Sequence, residues 1–303
     1  VKRFTASLLV LMGAASFGVL STIVKISYSQ GFSTAEVTSS PLLFGCVILW
    51  LLGIPSFKEL RQLSFATIGK LLASGIFSGL TGVFYYLALQ SLSASLGVIL
   101  LFQFVWMGFL LEWILQKRRP SGKQWLSIAV VLIGTVLAAG YEALHFEHIS
   151  LAGILLGLLA AASYTGNLTV NGRVALSVSP ILRSTLMVTG GAVITLLIFP
   201  PLFLFNDSIG QGLWIYALLL GLFGVIIPPY LYAQGIPTIG SAMASILGSV
   251  ELPIVIITSA LILKEHITVI QWLGVILILV GICISEQRII SQKTFRKRLQ
   301  YRN

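Results

Sequence analysis

The chain has 303 residues, 57% of them hydrophobic and only 9% charged, at a mean hydropathy of +0.99. A soluble domain carries about 25% charged residues, so a water-soluble globule of this size is excluded. The net charge of +10 does not argue for a nucleic-acid partner, because the basic residues sit between apolar runs and in the tail, where they orient a chain on anionic lipid.

Apolar runs near the ~20 residues needed to cross a bilayer as helix predict ten spans. They fall at 4–24, 36–53, 67–89, 92–115 and 124–140, then at 150–170, 180–204, 213–234, 238–263 and 267–285. The start, Val1-Lys2-Arg3 before an apolar stretch, looks like a signal peptide. The run outlasts a signal h-region and no A-x-A site follows, so it is read as the first span. In that span Gly18, Ser21, Thr22 and Lys25 make a polar stripe at helical spacing. Lys25 either holds a substrate carboxylate, pairs with Glu36, or snorkels to the interface.

Gly75/Gly79 and Gly153/Gly157 are GxxxG pairs that let helices approach closely. Phe84, Tyr85 and Tyr86 close the third span, Gln103 and Trp106 lie midway along the fourth, and Tyr230 and Tyr232 lie in the eighth. Such aromatics suit a cavity for an amphipathic or aromatic substrate, although interface belts use the same residues. Gln103 either binds substrate or bridges helices. In the sixth span Ser163, Asn167 and Asn171 form a polar stripe with Tyr164 beside it, so that stripe faces the bundle. Pro228-Pro229 and Pro253 should bend or open their helices.

Glu251 lies near the middle of the ninth span, where a charge costs about 2.5–3.5 kcal/mol or more, so it should face protein or water. The spacing of Gly240, Ala244, Gly248 and Glu251 puts them on one helical face. The functional reading is a cavity carboxylate that binds an ammonium group or a proton. The structural alternative is a carboxyl bonded to a neighbouring helix. Cys46 and Cys283 lie inside apolar runs and read as small buried thiols. Glu142, His145, Glu147 and His148 fit no strong metal-ligand spacing and read as a solvated loop.

The chain also contains itself twice. Gln124-Trp125-Leu126 through Gly134 returns 147 positions later as Gln271-Trp272-Leu273 through Gly281. The shortest joins, around Gln90-Ser91 and Gly235-Ile236-Pro237, recur between the third and fourth spans of each half. The expected division is therefore a first repeat at 1–141, a second at 150–288 and a basic tail at 289–303. Assigning connections to alternate sides puts all but two of the 19 Lys and Arg residues, Lys25 and Lys264, on the side of both termini. The positive-inside rule makes that side cytoplasmic. Five spans per half then reverse the second copy. The expected fold is an all-α polytopic membrane protein of ten transmembrane helices, arranged as two inverted five-helix repeats.

Several stretches resemble the ten-helix EamA-type members of the drug/metabolite transporter superfamily. They are Ala15-Ser16-Phe17-Gly18 with Lys25, Tyr85-Tyr86-Leu87-Ala88-Leu89-Gln90-Ser91, Ala162-Ser163-Tyr164-Thr165-Gly166-Asn167, and Glu251-Leu252-Pro253 followed by Leu263-Lys264-Glu265 and Gln271-Trp272. The resemblance implies an export-type carrier whose first, third, fourth, sixth, eighth and ninth helices surround the cavity while the fifth and tenth stay peripheral. One departure is that Phe104-Val105-Trp106 stands in the first half where the second has Glu251-Leu252-Pro253.

The expected function is a secondary transporter in the cell membrane that exports small organic metabolites, such as amino acids, by alternating access. Its substrate-binding residues would be Lys25, Tyr85, Gln103, Trp106, Tyr164, Asn167 and Glu251, with Glu251 also the candidate for proton coupling. No cofactor and no nucleic acid are expected; the lipid bilayer is, and a homo-oligomer is compatible. A sugar-phosphate or nucleotide-sugar exchanger should place several Lys or Arg residues at mid-depth, and none is there. A membrane enzyme needs converging acid, base or metal groups, and a sensor needs an output domain. Neither signature is present, nor is a glycine-rich phosphate loop for ATP-driven pumping.

Overall fold

The computed structural model describes residues 2–89, 91–92, 94–117, 119–139, 150–262, 264 and 267–300. The loop carrying Glu142, His145, Glu147 and His148 lies outside these, as do Gln90 and Glu265. Among the described residues there are helices and no strands. In chain order they are α1 (Arg3–Ser29), α2 (Thr34–Leu52), α3 (Phe57–Gln62), α4 (Phe65–Leu89), α5 (Ala94–Leu101), α6 (Phe104–Gln116) and α7 (Gly122–Ala139). There follow α8 (Leu151–Asn171), α9 (Pro180–Ile198), α10 (Trp214–Leu220), α11 (Ile227–Ile239), α12 (Ser241–Gly248), α13 (Glu251–Ile262) and α14 (Val269–Gln300). Among the described residues eight helical stretches are long and apolar enough to cross a membrane, and 122–138 and 269–284 are shorter apolar helices.

Local chemistry accounts for the ends. A capping box starts α2: Ser33 Oγ accepts from Glu36 N while the Glu36 carboxylate accepts from Ser33 N at 2.8 Å. Pro180 stands in the first turn of α9, where its missing N–H costs nothing. That helix stops at Ile198 rather than at 204 because Pro200-Pro201 follows. The join after the eighth span is not at Gly235-Ile236-Pro237. The helix runs through Pro237 to Ile239 and turns at Gly240, whose φ of 89° only glycine adopts easily. The Pro228-Pro229 pair opens the preceding turns into a π-helical segment, Gly221–Ile226. Helix α14 continues through the basic stretch to Gln300.

The fourth and ninth spans are both broken, at residues 102–103 and 249–250, positions that differ by 147. The backbone bonds correspond too. Gln103 N donates to the Leu100 carbonyl, Val105 N to Phe102 and Met107 N to Gln103; Val250 N, Leu252 N and Ile254 N repeat the pattern on Leu247, Ser249 and Val250. In the second half Pro253 explains the break, because its ring displaces the carbonyl four residues back, that of Ser249. The first half has no proline there. Instead the Gln103 side chain donates to the Ile99 carbonyl at 2.9 Å, replacing the backbone donor that carbonyl has lost. The turn at 249–250 also ends the register of Gly240, Ala244 and Gly248, so their common face does not extend to Glu251.

Helix packing follows small residues. Gly75 and Gly79 of α4 lie against Met187 and Gly191 of α9 so closely that a methyl group on either would strike backbone. A Gly75→Leu change should therefore cost about 1–3 kcal/mol or more, and a lower melting temperature of the detergent-solubilised protein would report it. The two Gln-Trp helices, α7 and α14, run antiparallel along each other. Ser127 Oγ donates to the Gly281 carbonyl at 2.7 Å, and Gly134 abuts Gly274. Shifting each partner by 147 positions converts the first contact into the second.

One face of the bundle carries the start of α1, α3, the end of α6, and the α8–α9 and α11–α12 connections. Glu59 of α3 accepts there from Ser179 N at 2.7 Å, and Gly235 abuts Ala6. This is the basic face, with Arg3, Lys58, Arg61, Lys117, Arg119 and Arg173. On the opposite face Glu36 accepts from Asn206 at 2.9 Å and from Ser208 Oγ, tying α2 to the segment before α10.

Candidate functional site

The two broken spans and α1, α4, α8 and α11 meet in the middle of the bundle. Gly18 of α1 is pressed against the Glu251 carbonyl and Ile254, so any side chain there would push α13 away. Thr22 continues that seam with a 3.0 Å bond to Thr258. Glu251 and five side chains around it form three pairs, each separated by 147 positions: Phe17 and Tyr164, Tyr85 and Tyr232, Phe104 and Glu251 itself. The rings of Phe17 and Tyr164 pack edge-on at 6.4 Å, those of Phe17 and Tyr232 at 6.0 Å, and those of Phe104 and Tyr164 at 4.8 Å. The Tyr164 and Tyr232 hydroxyls are 3.3 Å apart. Tyr85, Tyr164 and Tyr232 all lie within electrostatic reach of the Glu251 carboxylate.

Burial divides this cluster. Phe104, Tyr164 and Tyr232 are buried, at 0%, 6% and 1% exposure, whereas Phe17, Tyr85 and Glu251 are only half-buried. Among the described residues none donates a hydrogen bond to the Glu251 carboxylate. An anion with free lone pairs on an aromatic floor is equipped to receive a cation: the carboxylate attracts it and the ring faces add cation–π stabilisation of about 0.5–2 kcal/mol.

The other expected site residues divide. Tyr85 is in the cluster and packs edge-on against Tyr86 at 6.0 Å. Gln103 and Trp106 are joined to each other, the indole N–H donating to Gln103 Oε1 at 2.8 Å. With Ile99 bonded as well, the Gln103 amide keeps one donor and one acceptor position. Asn167 is buried, and its Oδ1 accepts from Asn171 at 3.2 Å, while Ser163 bonds the Phe77 carbonyl of α4. In that stripe Ser163 ties α8 to α4, and the two asparagine side chains bond each other within α8. Lys25 is exposed, seven residues beyond Gly18 on α1, or about 10 Å at ~1.5 Å per residue. Lys25 and Glu251 are therefore not at one level.

A model of the EamA-like transporter family matches residues 4–140 and again 151–286, nearly the whole chain. The chain belongs to the EamA-like transporter family. Among similar proteins, the uncharacterized transporter sll1319 of Synechocystis sp. is 25% identical, over 97% of this chain and 96% of its own length. The uncharacterized transporter YwfM of Bacillus subtilis is 24% identical, over 61% of each. A solved crystal structure superposes with a TM-score of 0.76, covering 94% of this chain and 97% of its own at 16% identity, and shares the fold. This EamA-like protein is thus a multi-pass membrane transporter.

Sequence reasoning overlooked Arg183, which it treated as one more basic residue at a membrane edge. It is 2% exposed. Its guanidinium donates to the Asn171 carbonyl at 2.5 Å and to the Ala233 carbonyl at 2.9 Å, pinning α8, α9 and α11 together below the site. Asn171 ends α8, so the cation also meets the negative end of that helix. Position within α9 was the available signal, since Arg183 follows Pro180 by only three residues and so enters the apolar helix.

Proposed function

We propose that this EamA-like protein is a secondary transporter of the cell membrane that exports small amine-bearing organic metabolites, amino acids among them, by alternating access. Its ten spans form two inverted five-helix repeats with both termini cytoplasmic. The antiparallel α7–α14 pair, whose contacts interchange under the 147-residue offset, supports inversion. The paired breaks at 102–103 and 249–250 support a central site between the halves.

The single observation that carries the substrate reading is Glu251, half-buried and without a donor among the described residues, beside the aromatic group of Phe17, Tyr85, Tyr164 and Tyr232. In this reading Glu251 takes the ammonium group or, between substrates, a proton. Phe17 and Tyr85 contact the apolar body, and Tyr164 is oriented through Tyr232. Gln103 and Trp106 shape the wall at the break, Asn167 stiffens α8 behind it, and Lys25 meets substrate carboxylates at the mouth.

Metabolite profiling of cells with and without the protein tests this. Amine-bearing compounds should rise in the medium when it is present. A profile unchanged in amines would contradict the substrate class, whatever else moved.

A further inference from the structure

Taking the chain as the transporter proposed above, we infer that Glu112 is a latch closing the cavity toward the basic face, so that the structure is open toward the opposite face. Glu112 sits on α6 eight residues beyond Phe104, about 12 Å along the helix at ~1.5 Å per residue. Over that length α6 is zipped to α12. Phe104 faces Gly248, and Gly108 fits against Ser245 so tightly that a methyl group would collide. At the end of the zip Glu112 Oε2 accepts from Ala242 N at 2.9 Å.

That bond has a reason. The first N–H groups of a helix lack partners within it, and the turn at Gly240 exposes those of α12 inside an apolar bundle. A carboxylate is the strongest acceptor for such a group and also complements the positive end of the helix. Gln116 Nε2 donates to the other oxygen at 2.9 Å and holds the carboxylate in place. Without Glu112 the Ala242 N–H would lose its acceptor, and the end of the α6–α12 contact would lose the bond that ties it.

The opposite end is built differently. At the 147-residue offset α5 and α13 correspond to α12 and α6, and among the described residues they are packed less closely than α6 and α12. In the sequence the position 147 residues beyond Glu112 is an uncharged serine, Ser259. Two halves that exchange conformations would close alternately at the α6–α12 and α5–α13 contacts. Of these two corresponding positions only the first carries a carboxylate, so the resting balance favours closure at the basic face.

The test is the rate at which a membrane-impermeant maleimide, applied from the basic face of oriented vesicles, labels a cysteine at a buried position of the zip. Ser245→Cys is placed in the full chain after Cys46 and Cys283 are replaced by serine, with Ala244→Cys as the second reporter should the first insert poorly. Labelling should be slow with Glu112 present and roughly tenfold faster in Glu112→Ala, the size expected for a lost charge-assisted bond. Glu112→Gln should lie between, since its amide oxygen can still accept from Ala242 N. Equal rates in all three overturn the latch. Parallel flux measurements separate the premises: flux with no labelling contrast sinks the latch alone, and a labelling contrast without flux supports the latch and counts against transport.

Discussion

Glu251→Gln should leave transport at about a tenth to a hundredth of its rate, the equivalent of losing a charge-assisted contact of roughly 1.5–3 kcal/mol. The amide keeps the size of the carboxylate, and the contact with Gly18 is made by the Glu251 main-chain carbonyl, which the change leaves in place, so the fold should persist. What disappears is the only mid-span anion beside Phe17, Tyr85, Tyr164 and Tyr232 among the described residues. Initial uptake rates in proteoliposomes, with protein insertion checked separately, are the readout. Unaltered rates would remove Glu251 from substrate binding and coupling alike. Glu251→Asp should recover part of the loss, because charge is restored at a shorter reach.

Arg183→Ala should destabilise the protein by about 3 kcal/mol or more, since two bonds to a charged donor are lost and a buried void is left. The Asn171 and Ala233 carbonyls would lose their partner inside the bundle. Reduced melting temperature and reduced yield of folded protein are the expected signs. Arg183→Lys should be intermediate, because an ammonium group cannot span both carbonyls as the planar guanidinium does. Normal stability in Arg183→Ala would show that α8, α9 and α11 are held without it.

The helical membrane architecture was legible from apolar length, and the Gln-Trp segment that recurs after 147 residues pointed to two helices that the structure packs against each other. Apolar length located the spans because a membrane rewards it directly, wherever the helices later pack. The same argument says nothing about breaks. Pro253 signalled the one in the ninth span, but its counterpart at 102–103 depends on a glutamine that bonds its own helix, and glutamine is an ordinary helix residue. Glu251 was legible because charge at mid-span is costly. Arg183 was not, because three residues decide whether an arginine lies at a helix end or beneath it. Lys25 shares a helical stripe with Gly18 by its spacing yet lies at another depth, which spacing alone does not convey.

The repeat offset also changes the meaning of the site. Phe17 and Tyr164, Tyr85 and Tyr232, and Phe104 and Glu251 occupy corresponding positions, so the scaffold is shared while the polar groups lie mostly in the second half. In the function proposed above, such asymmetry would let two similar halves hold one oriented substrate.

Alternating access at this site is tested most directly by counterflow. Purified protein in liposomes loaded with unlabelled phenethylamine or L-phenylalanine is diluted into a trace of the same compound in labelled form. The account predicts transient accumulation of label above its external concentration, dependent on the protein and abolished in Glu251→Gln. Absence of protein-dependent accumulation with both compounds, or equal accumulation in Glu251→Gln, would contradict it.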